Sequence, residues 1–216
     1  MCGIAGVIAF DQRRRVSREV LMRMSEAIAH RGPDGEGLYL DDEARDGRAA
    51  CGLAHRRLAI LDPDPRSNQP FSDERGRQLV YNGEIYNFRE LRAELTKLRP
   101  DYRWKTTGDT ELLLVAYDAW GETCVEKFDG MFAFAIWDVP NQTLFLARDR
   151  MGQKPLYLAV APGETSKVGA IAFASELAAL REIPWFDDRI DDCALGHYLR
   201  FGYIPAPLTI YRGAES

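Results

Sequence analysis

The apolar positions along the 216-residue chain change period several times, and each change marks an element. Gly3 to Ile8 is a short apolar run suited to a buried strand, with Gly3 and Gly6 leaving room for a neighbouring backbone. Val16, Val20, Leu21, Met24 and Ile28 then recur at helical spacing behind Ser17, a good N-cap. Proline and two glycines in His30-Arg31-Gly32-Pro33-Asp34-Gly35 stop that helix. Leu38-Tyr39-Leu40 reads as a short strand and Asp41 to Arg48 as a charged surface turn. Ala49 to Leu53 and Arg57 to Leu61 read as a strand pair broken around His55. Gln78 to Tyr81 is a strand running into Asn82-Gly83, a dipeptide that ordinarily marks a hairpin turn. Asn87 with Glu90 resembles a capping box for a helix carrying Phe88, Leu91, Leu95 and Leu98. Asp109 opens a second helix with Leu112, Leu113, Ala116 and Trp120 on one face.

Beyond this point the chain turns to strands. Met131 to Trp137 is apolar throughout and, with Asp138, fits a strand buried on both faces; Thr143 to Arg148, Leu156 to Val160 and Ala170 to Ala174 follow. Ser175 to Leu180 is a short helix with Ser175-Glu176 as its cap and acidic first turn, and Asp191 to Leu199 is a last helix. Many strands in two groups, with helices between, predict two stacked sheets covered by helices: an α+β sandwich in one domain.

Composition narrows the setting. The net charge of −5 disfavours a nucleic-acid surface. No apolar run approaches the roughly 20 residues of a membrane span, and no signal-peptide core follows Met1. Cys2, Cys51, Cys124 and Cys193 lie far apart without a Cys-x-x-Cys pair, which argues against a metal site and for reduced thiols in a cytoplasm-like compartment.

Cys2 is the candidate around which chemistry can be built. Removal of Met1 would leave a thiol nucleophile and a free α-amine on one residue. An α-amine titrates at roughly 7.7–8.0 and can serve as general base near neutral pH. The plain alternative is a strand that happens to begin Met-Cys. Amide hydrolysis by a thiol also needs oxyanion donors, which the Asn82 side chain and the Gly83 backbone offer. Arg57 can grip a carboxylate with two bonds, or pair with a surface acid. Glu84 and Asp109 can receive an ammonium, although Asp109 also sits where a helix cap belongs. A substrate with carboxylate, ammonium and amide is an amino acid amide, glutamine being the obvious one. His30 and His55 read as structural, with no carboxylate near them in sequence, and Arg31 as a buttress. Arg148 to Lys154 has a phosphate-loop flavour but lacks the Gly-x-x-x-x-Gly-Lys-Ser/Thr order.

Met1-Cys2-Gly3-Ile4-Ala5-Gly6, His30-Arg31-Gly32-Pro33-Asp34, Arg57-Leu58-Ala59-Ile60, Tyr81-Asn82-Gly83-Glu84-Ile85-Tyr86-Asn87 and Thr107-Gly108-Asp109-Thr110-Glu111 occur in order. So do Phe128-Asp129-Gly130-Met131-Phe132-Ala133-Phe134, Arg148-Asp149-Arg150-Met151-Gly152-Gln153-Lys154-Pro155-Leu156-Tyr157, Phe173-Ala174-Ser175-Glu176-Leu177 and Phe201-Gly202-Tyr203-Ile204-Pro205. Over nearly its whole length the chain resembles the glutaminase domain of class II glutamine amidotransferases, in particular the glutamine-hydrolysing asparagine synthetases. The resemblance implies a four-layer α-β-β-α sandwich of two mostly antiparallel sheets, of the N-terminal-nucleophile hydrolase type. It implies Cys2 as nucleophile, Asn82 and Gly83 as oxyanion hole, Arg57 on the α-carboxylate of glutamine, and Glu84 with Asp109 on its α-ammonium. It places the Arg148–Lys154 and Ser175-Glu176 segments toward a partner domain.

The same resemblance divides the chain into a glutaminase domain, 1–190, and the start of a connection, 191–216, to an ATP-dependent synthetase domain whose Ser-Gly-Gly-x-Asp-Ser loop does not occur here. A truncated chain is the simplest expectation, with ATP and Mg confined to the missing domain and no cofactor or metal in this one. Residues Leu195 to Ile210, which would pack between domains, are then expected to expose apolar surface. The expected partners are L-glutamine and the synthetase domain, with no nucleic acid and no membrane, a homodimer being left open; the expected compartment is the cytoplasm. Two other readings remain: an amidotransferase that feeds another acceptor, and a glutamine-binding module that keeps Met1 and has no activity.

Overall fold

The computed structural model describes residues 1–11, 14–42, 48–163 and 168–216. Its strands in chain order are β1 (Gly3–Ala9), β2 (Gly35–Asp41), β3 (Ala50–Arg57), β4 (Phe71–Ser72), β5 (Gln78–Ile85), β6 (Gly130–Asp138), β7 (Thr143–Arg148), β8 (Tyr157–Pro162) and β9 (Val168–Ala174). The helices are α1 (Arg18–Ala27), α2 (Phe88–Leu98), α3 (Thr110–Trp120), α4 (Leu177–Leu180) and α5 (Asp192–Phe201). One antiparallel sheet runs β2-β3-β1-β9-β8 and the other β4-β5-β6-β7.

Period-2 alternation along these strands separates three apolar layers. Ile4, Ile8, Leu53 and Phe173 of the first sheet meet Val80, Ala133, Ala135 and Trp137 of the second, forming the middle of the molecule. The other face of the first sheet is rich in alanine (Ala5, Ala9, Ala50, Ala54, Ala172), and Leu21, Met24 and Ile28 from the α1 region pack onto it. The other face of the second sheet carries Leu79, Tyr81, Phe132, Phe134 and Ile136 against Leu91 and Leu95 of α2 and Leu112, Leu113 and Ala116 of α3. This is the expected four-layer α-β-β-α sandwich. Ser17 caps α1 as expected, its side chain accepting from the Val20 amide at 3.1 Å.

Several local expectations change. The predicted strand pair around His55 is one strand, β3, in which His55 pairs with Ile4 on one side and Gly37 on the other. The ring is tolerated there because its Nε2 donates across the sandwich to the Tyr81 carbonyl at 3.1 Å. Residues 58–61 form no strand; the Leu58 amide turns to the Cys2 sulfur instead. Asn82-Gly83 makes no hairpin turn. Both residues stay in β5, opposite Ala133 and Phe132, and a Cβ on Gly83 would lie 2.4 Å from the Met131 carbonyl oxygen. The glycine serves close strand approach rather than chain reversal. At Gly6 the vacant Cβ position is filled by the Phe173 ring at 2.5 Å, so a side chain rather than a backbone takes the space.

Asn87 does not cap α2. Its amide bridges the Lys127 carbonyl (2.9 Å) and the Asp129 amide (3.0 Å), tying the helix start to the approach of β6. Leu98 is exposed rather than on the buried face of α2. Ser175 likewise caps nothing: its hydroxyl accepts the Ile4 amide at 3.0 Å, and the following helix shrinks to Leu177–Leu180. Of the predicted turn from Asp41 to Arg48, residues 43–47 lie outside the described residues.

After α5, capped by the Asp191 carboxylate on the Ala194 amide, the chain returns to the sandwich. Ile190 bridges Tyr211, Leu158 bridges Glu215, and Ala214 is buried in the outer alanine-rich layer. Tyr198, Leu199, Phe201 and Tyr203 remain more than half exposed, Leu199 at 76%. Among the described residues no helix is long and apolar enough to cross a membrane.

Candidate active site

The start of β1 and the end of β3 hold Cys2 through main-chain and charged groups. Its sulfur accepts the Leu58 amide at 3.3 Å and lies 3.6 Å from the Leu58 carbonyl, a geometry suited to a protonated thiol. Its carbonyl accepts Arg31 Nε at 2.9 Å, so Arg31 does buttress the cysteine. Arg31 Nη1 is paired with Glu176 at 2.9 Å, and His30 Nε2 meets the same carboxylate oxygen at 2.9 Å. His30 therefore has a carboxylate after all, one that lies 146 residues away. Ser175 locks onto Ile4 in both directions, through Ser175 Oγ and through its own amide on the Ile4 carbonyl at 2.9 Å. Asp34 accepts the Ala59 amide at 2.8 Å and orders the segment just past Leu58. Burial raises the Cys2 pKa; the Leu58 amide, the terminal ammonium and Arg57 act in the opposite direction without reversing it. At neutral pH this residue is a thiol and needs a base.

The second sheet supplies the facing groups. Alternation along β5 puts Asn82 and Glu84 on the inner face and Tyr81 on the helix side. Asn82 is only 1% exposed, yet its Nδ2 has no hydrogen-bond partner among the described residues. Asp109, at the start of α3, does not cap it. Its Oδ2 accepts the Tyr81 hydroxyl at 2.7 Å and the Ile85 amide at 3.0 Å, so the carboxylate is turned toward the sheet. The capping alternative is thereby removed. Burial raises the Asp109 pKa, with the bonds from Ile85 and Tyr81 opposing it. Burial and then the charge of Asp109 raise that of Glu84, while Lys154 lowers it. Gln69 accepts the Tyr81 amide at 2.6 Å and closes the wall behind β5.

Arg57 stands apart from the expectation of an open two-pronged grip. Its Nη1 donates to the Asp64 carbonyl (3.0 Å) and Asn68 Oδ1 (2.7 Å), and its Nη2 to the carbonyls of Leu61 (3.5 Å) and Asp62 (2.5 Å). All four Nη hydrogens thus organise the loop from Leu61 to Asn68, leaving only Nε uncommitted. Asp62 fastens that loop to the approach of α3 by accepting the Thr107 amide (2.6 Å) and hydroxyl (3.0 Å).

The predicted residues Cys2, Arg57, Asn82, Gly83, Glu84 and Asp109 line one cavity of about 160 Å³, the space between the two sheet ends. Met1, Leu58, Gln69, Tyr81 and Lys154 line it too, and sequence reasoning did not single them out for this role. The Arg148–Lys154 segment does resemble a loop of converging amides, but its own Asp149 occupies it. That carboxylate accepts the amides of Phe132 (3.1 Å), Gln153 (2.9 Å) and Lys154 (3.0 Å), which hold its pKa down against burial. No amide of that set remains for a phosphate. Nor are Lys154 and Ser175-Glu176 remote from the chemistry, since one lines the cavity and the other braces Cys2 through Ile4 and Arg31. Among the described residues no group of three or more His, Cys, Asp or Glu side chains is placed to hold a metal ion.

A family model described as a glutamine amidotransferase domain matches residues 1–216. A putative glutamine-hydrolysing asparagine synthetase of Methanocaldococcus jannaschii is 35% identical over 98% of this chain and 41% of its own length. The Mycobacterium tuberculosis protein described in the same way is 37% identical over 100% and 33%. Asparagine synthetase 1 of Bacillus subtilis is 36% identical over 97% and 31%. The chain therefore spans about a third to two-fifths of the length of these curated relatives. Among solved structures, the glutamine phosphoribosylpyrophosphate amidotransferase of B. subtilis, crystallised with ADP and GMP, superposes with a TM-score of 0.63 at 19% identity, over 83% of this chain and 43% of that one. At that identity the likeness carries the fold, the sandwich of the N-terminal-nucleophile type.

Proposed function

This chain belongs to the glutamine amidotransferase domain family, and from that premise we propose that the Cys2 cavity hydrolyses L-glutamine to glutamate and ammonia. Removal of Met1 frees the α-amine of Cys2, which takes the thiol proton by way of a water. The sulfur adds to the side-chain amide carbon; the oxyanion is met by Asn82 Nδ2 and the Gly83 amide. The C–N bond breaks with the proton passing to nitrogen, ammonia leaves, and a thioester remains. Water then adds to the thioester, the C–S bond breaks, and glutamate departs. Glu84 and Asp109 receive the substrate's α-ammonium, and Arg57 meets its α-carboxylate through Nε, its Nη atoms shaping the wall.

One observation carries this reading: Asn82, whose Nδ2 is buried and without a partner among the described residues, lines the cavity that also contains Cys2. A buried donor with nothing to bond costs about 1–3 kcal/mol, and a developing oxyanion would supply what is missing. The ammonia would serve ATP-dependent amidation of aspartate in a synthetase domain, where ATP and Mg would be held. The names of the relatives support that destination, and the cytoplasm is the compartment that suits it.

The test is intact mass measured beside glutaminase turnover. A mass lacking one methionine with glutamate released, and at least a ~10³-fold loss in Cys2→Ala, supports the proposal. Met1 lines the cavity next to Cys2, so a chain that retained it would keep its amine on the wrong residue. Retained Met1 with glutamine binding but no turnover would support the binding-module reading instead.

A further inference from the structure

Lys154 is 6% exposed as a residue and lines the same cavity as Cys2, and its burial is not explained by pairing. Its amide donates to Asp149 at 3.0 Å and its carbonyl accepts Arg148 Nε at 2.7 Å, so its backbone is fixed. Its ammonium, by contrast, makes no hydrogen bond or ion pair within 4.0 Å among the described residues. Lysines are almost never this buried unless paired. The side chain comes from the β7–β8 connection, crosses to the cavity and acts there on Glu84.

We propose that Lys154 is a positioning residue that keeps Glu84 ionised, so that Glu84 can receive the substrate's α-ammonium. The inference rests on the role given to Glu84 above. Glu84 is faced by Asp109 from the start of α3, by Cys2 and the terminal amine from the start of β1, by Arg57 from the end of β3, and by Tyr81 from its own strand. The Arg57 Nη hydrogens are held by the 61–68 loop, and Lys154 is the cation whose charge acts on Glu84 against that of Asp109. With burial and Asp109 both favouring the protonated acid, removing Lys154 leaves Glu84 to take up a proton at higher pH. A protonated Glu84 offers an ammonium no charge. The pair Glu84 and Asp109 against Arg57 and Lys154 also leaves the cavity near neutrality, which suits a zwitterion with an uncharged amide.

The experiment measures L-glutamine affinity by calorimetry across pH in the Cys2→Ala protein, where turnover does not intervene, with every variant shown by intact mass to have the same N-terminus. In Lys154→Met the acid-side loss of affinity is expected to begin at higher pH, with binding at the acid end weaker by roughly tenfold. At the alkaline end binding should stay within about twofold, and Lys154→Arg should restore the original profile. In a Glu84→Gln background Lys154→Met should shift nothing further. A loss of affinity equal at every pH would overturn the proposal, since a lysine that touches the ligand or merely holds the fold predicts that. An unshifted profile in Lys154→Met, with Glu84→Gln weak, would overturn it alone. Unchanged binding by Glu84→Gln would remove the role of Glu84 and this inference with it.

Discussion

The two walls of the cavity are built differently. On the Cys2 wall most polar groups are met: the sulfur by Leu58, the carbonyl by Arg31 Nε, Arg31 Nη1 by Glu176, and the adjoining strand by Ser175, with Arg31 Nη2 buried and without a partner among the described residues. On the Asn82 wall they are left waiting. Among the described residues Asn82 Nδ2 has no partner, Glu84 and Asp109 carry raised pKa values, and the ammonium of Lys154, a largely buried residue, makes no bond. The first wall holds the Cys2 thiol still; the second has desolvation costs that a bound substrate would offset. Substitutions on the two walls should therefore separate stability from activity.

The largest expected effect is on the waiting wall. Asn82→Ala should lower kcat by ~10²–10³, equivalent to about 3–4 kcal/mol, with stability changed by less than about 1 kcal/mol because no bond to Nδ2 is lost. Steady-state glutaminase assays beside urea unfolding check both numbers. A loss of stability without loss of turnover would erase the contrast.

Next comes His55, which joins the two walls. Burial lowers its pKa to about 4, the Tyr81 carbonyl opposing and Arg57 adding to the shift. An unfolded histidine takes up its proton near ~6.5 and the folded one only near about 4, so the unfolded chain binds more protons between those values. Stability should thus fall by about 3 kcal/mol as pH drops from 6.5 to 4, and no further from this group below that. Urea unfolding across that range should show the slope, and His55→Phe should flatten it. Ser175→Ala gives the smallest effect and the converse of Asn82→Ala. It strands the buried Ile4 amide, at about 1–3 kcal/mol of stability, while turnover per folded molecule stays within about threefold.

Much of this was legible because its signals are local. The Ser17 cap, the 3.6-period face of α1 and the unbroken apolar run of β6 each fix an element from its own residues. The site residues were legible as chemistry and by resemblance, and one cavity does gather Cys2, Arg57, Asn82, Gly83, Glu84 and Asp109. Illegible were the choices that depend on a distant partner. Asn-Gly stays in a strand because β6 runs alongside it; Asp109 abandons its helix because Tyr81 and Ile85 present better donors; His30 finds Glu176 only once β9 lies beside β1. Lys154 escaped notice for the same reason, since its segment read as lying toward a partner domain and only the fold brings it to the cavity.

The sequence by itself determined the strand and helix periods, the sandwich they must form to bury two-faced strands, and the chemical kinds of the groups needed for amide hydrolysis. Only the tertiary structure decided which of those groups are satisfied and which are not. Whether a side chain is spent or free is set by neighbours that spacing along the chain does not reveal: the loop carbonyls that take the Arg57 hydrogens, and the absence of an acceptor for Asn82 Nδ2 among the described residues. Hydrogen bonds and burial act over a few ångströms in space, and the fold alone says which residues come that close.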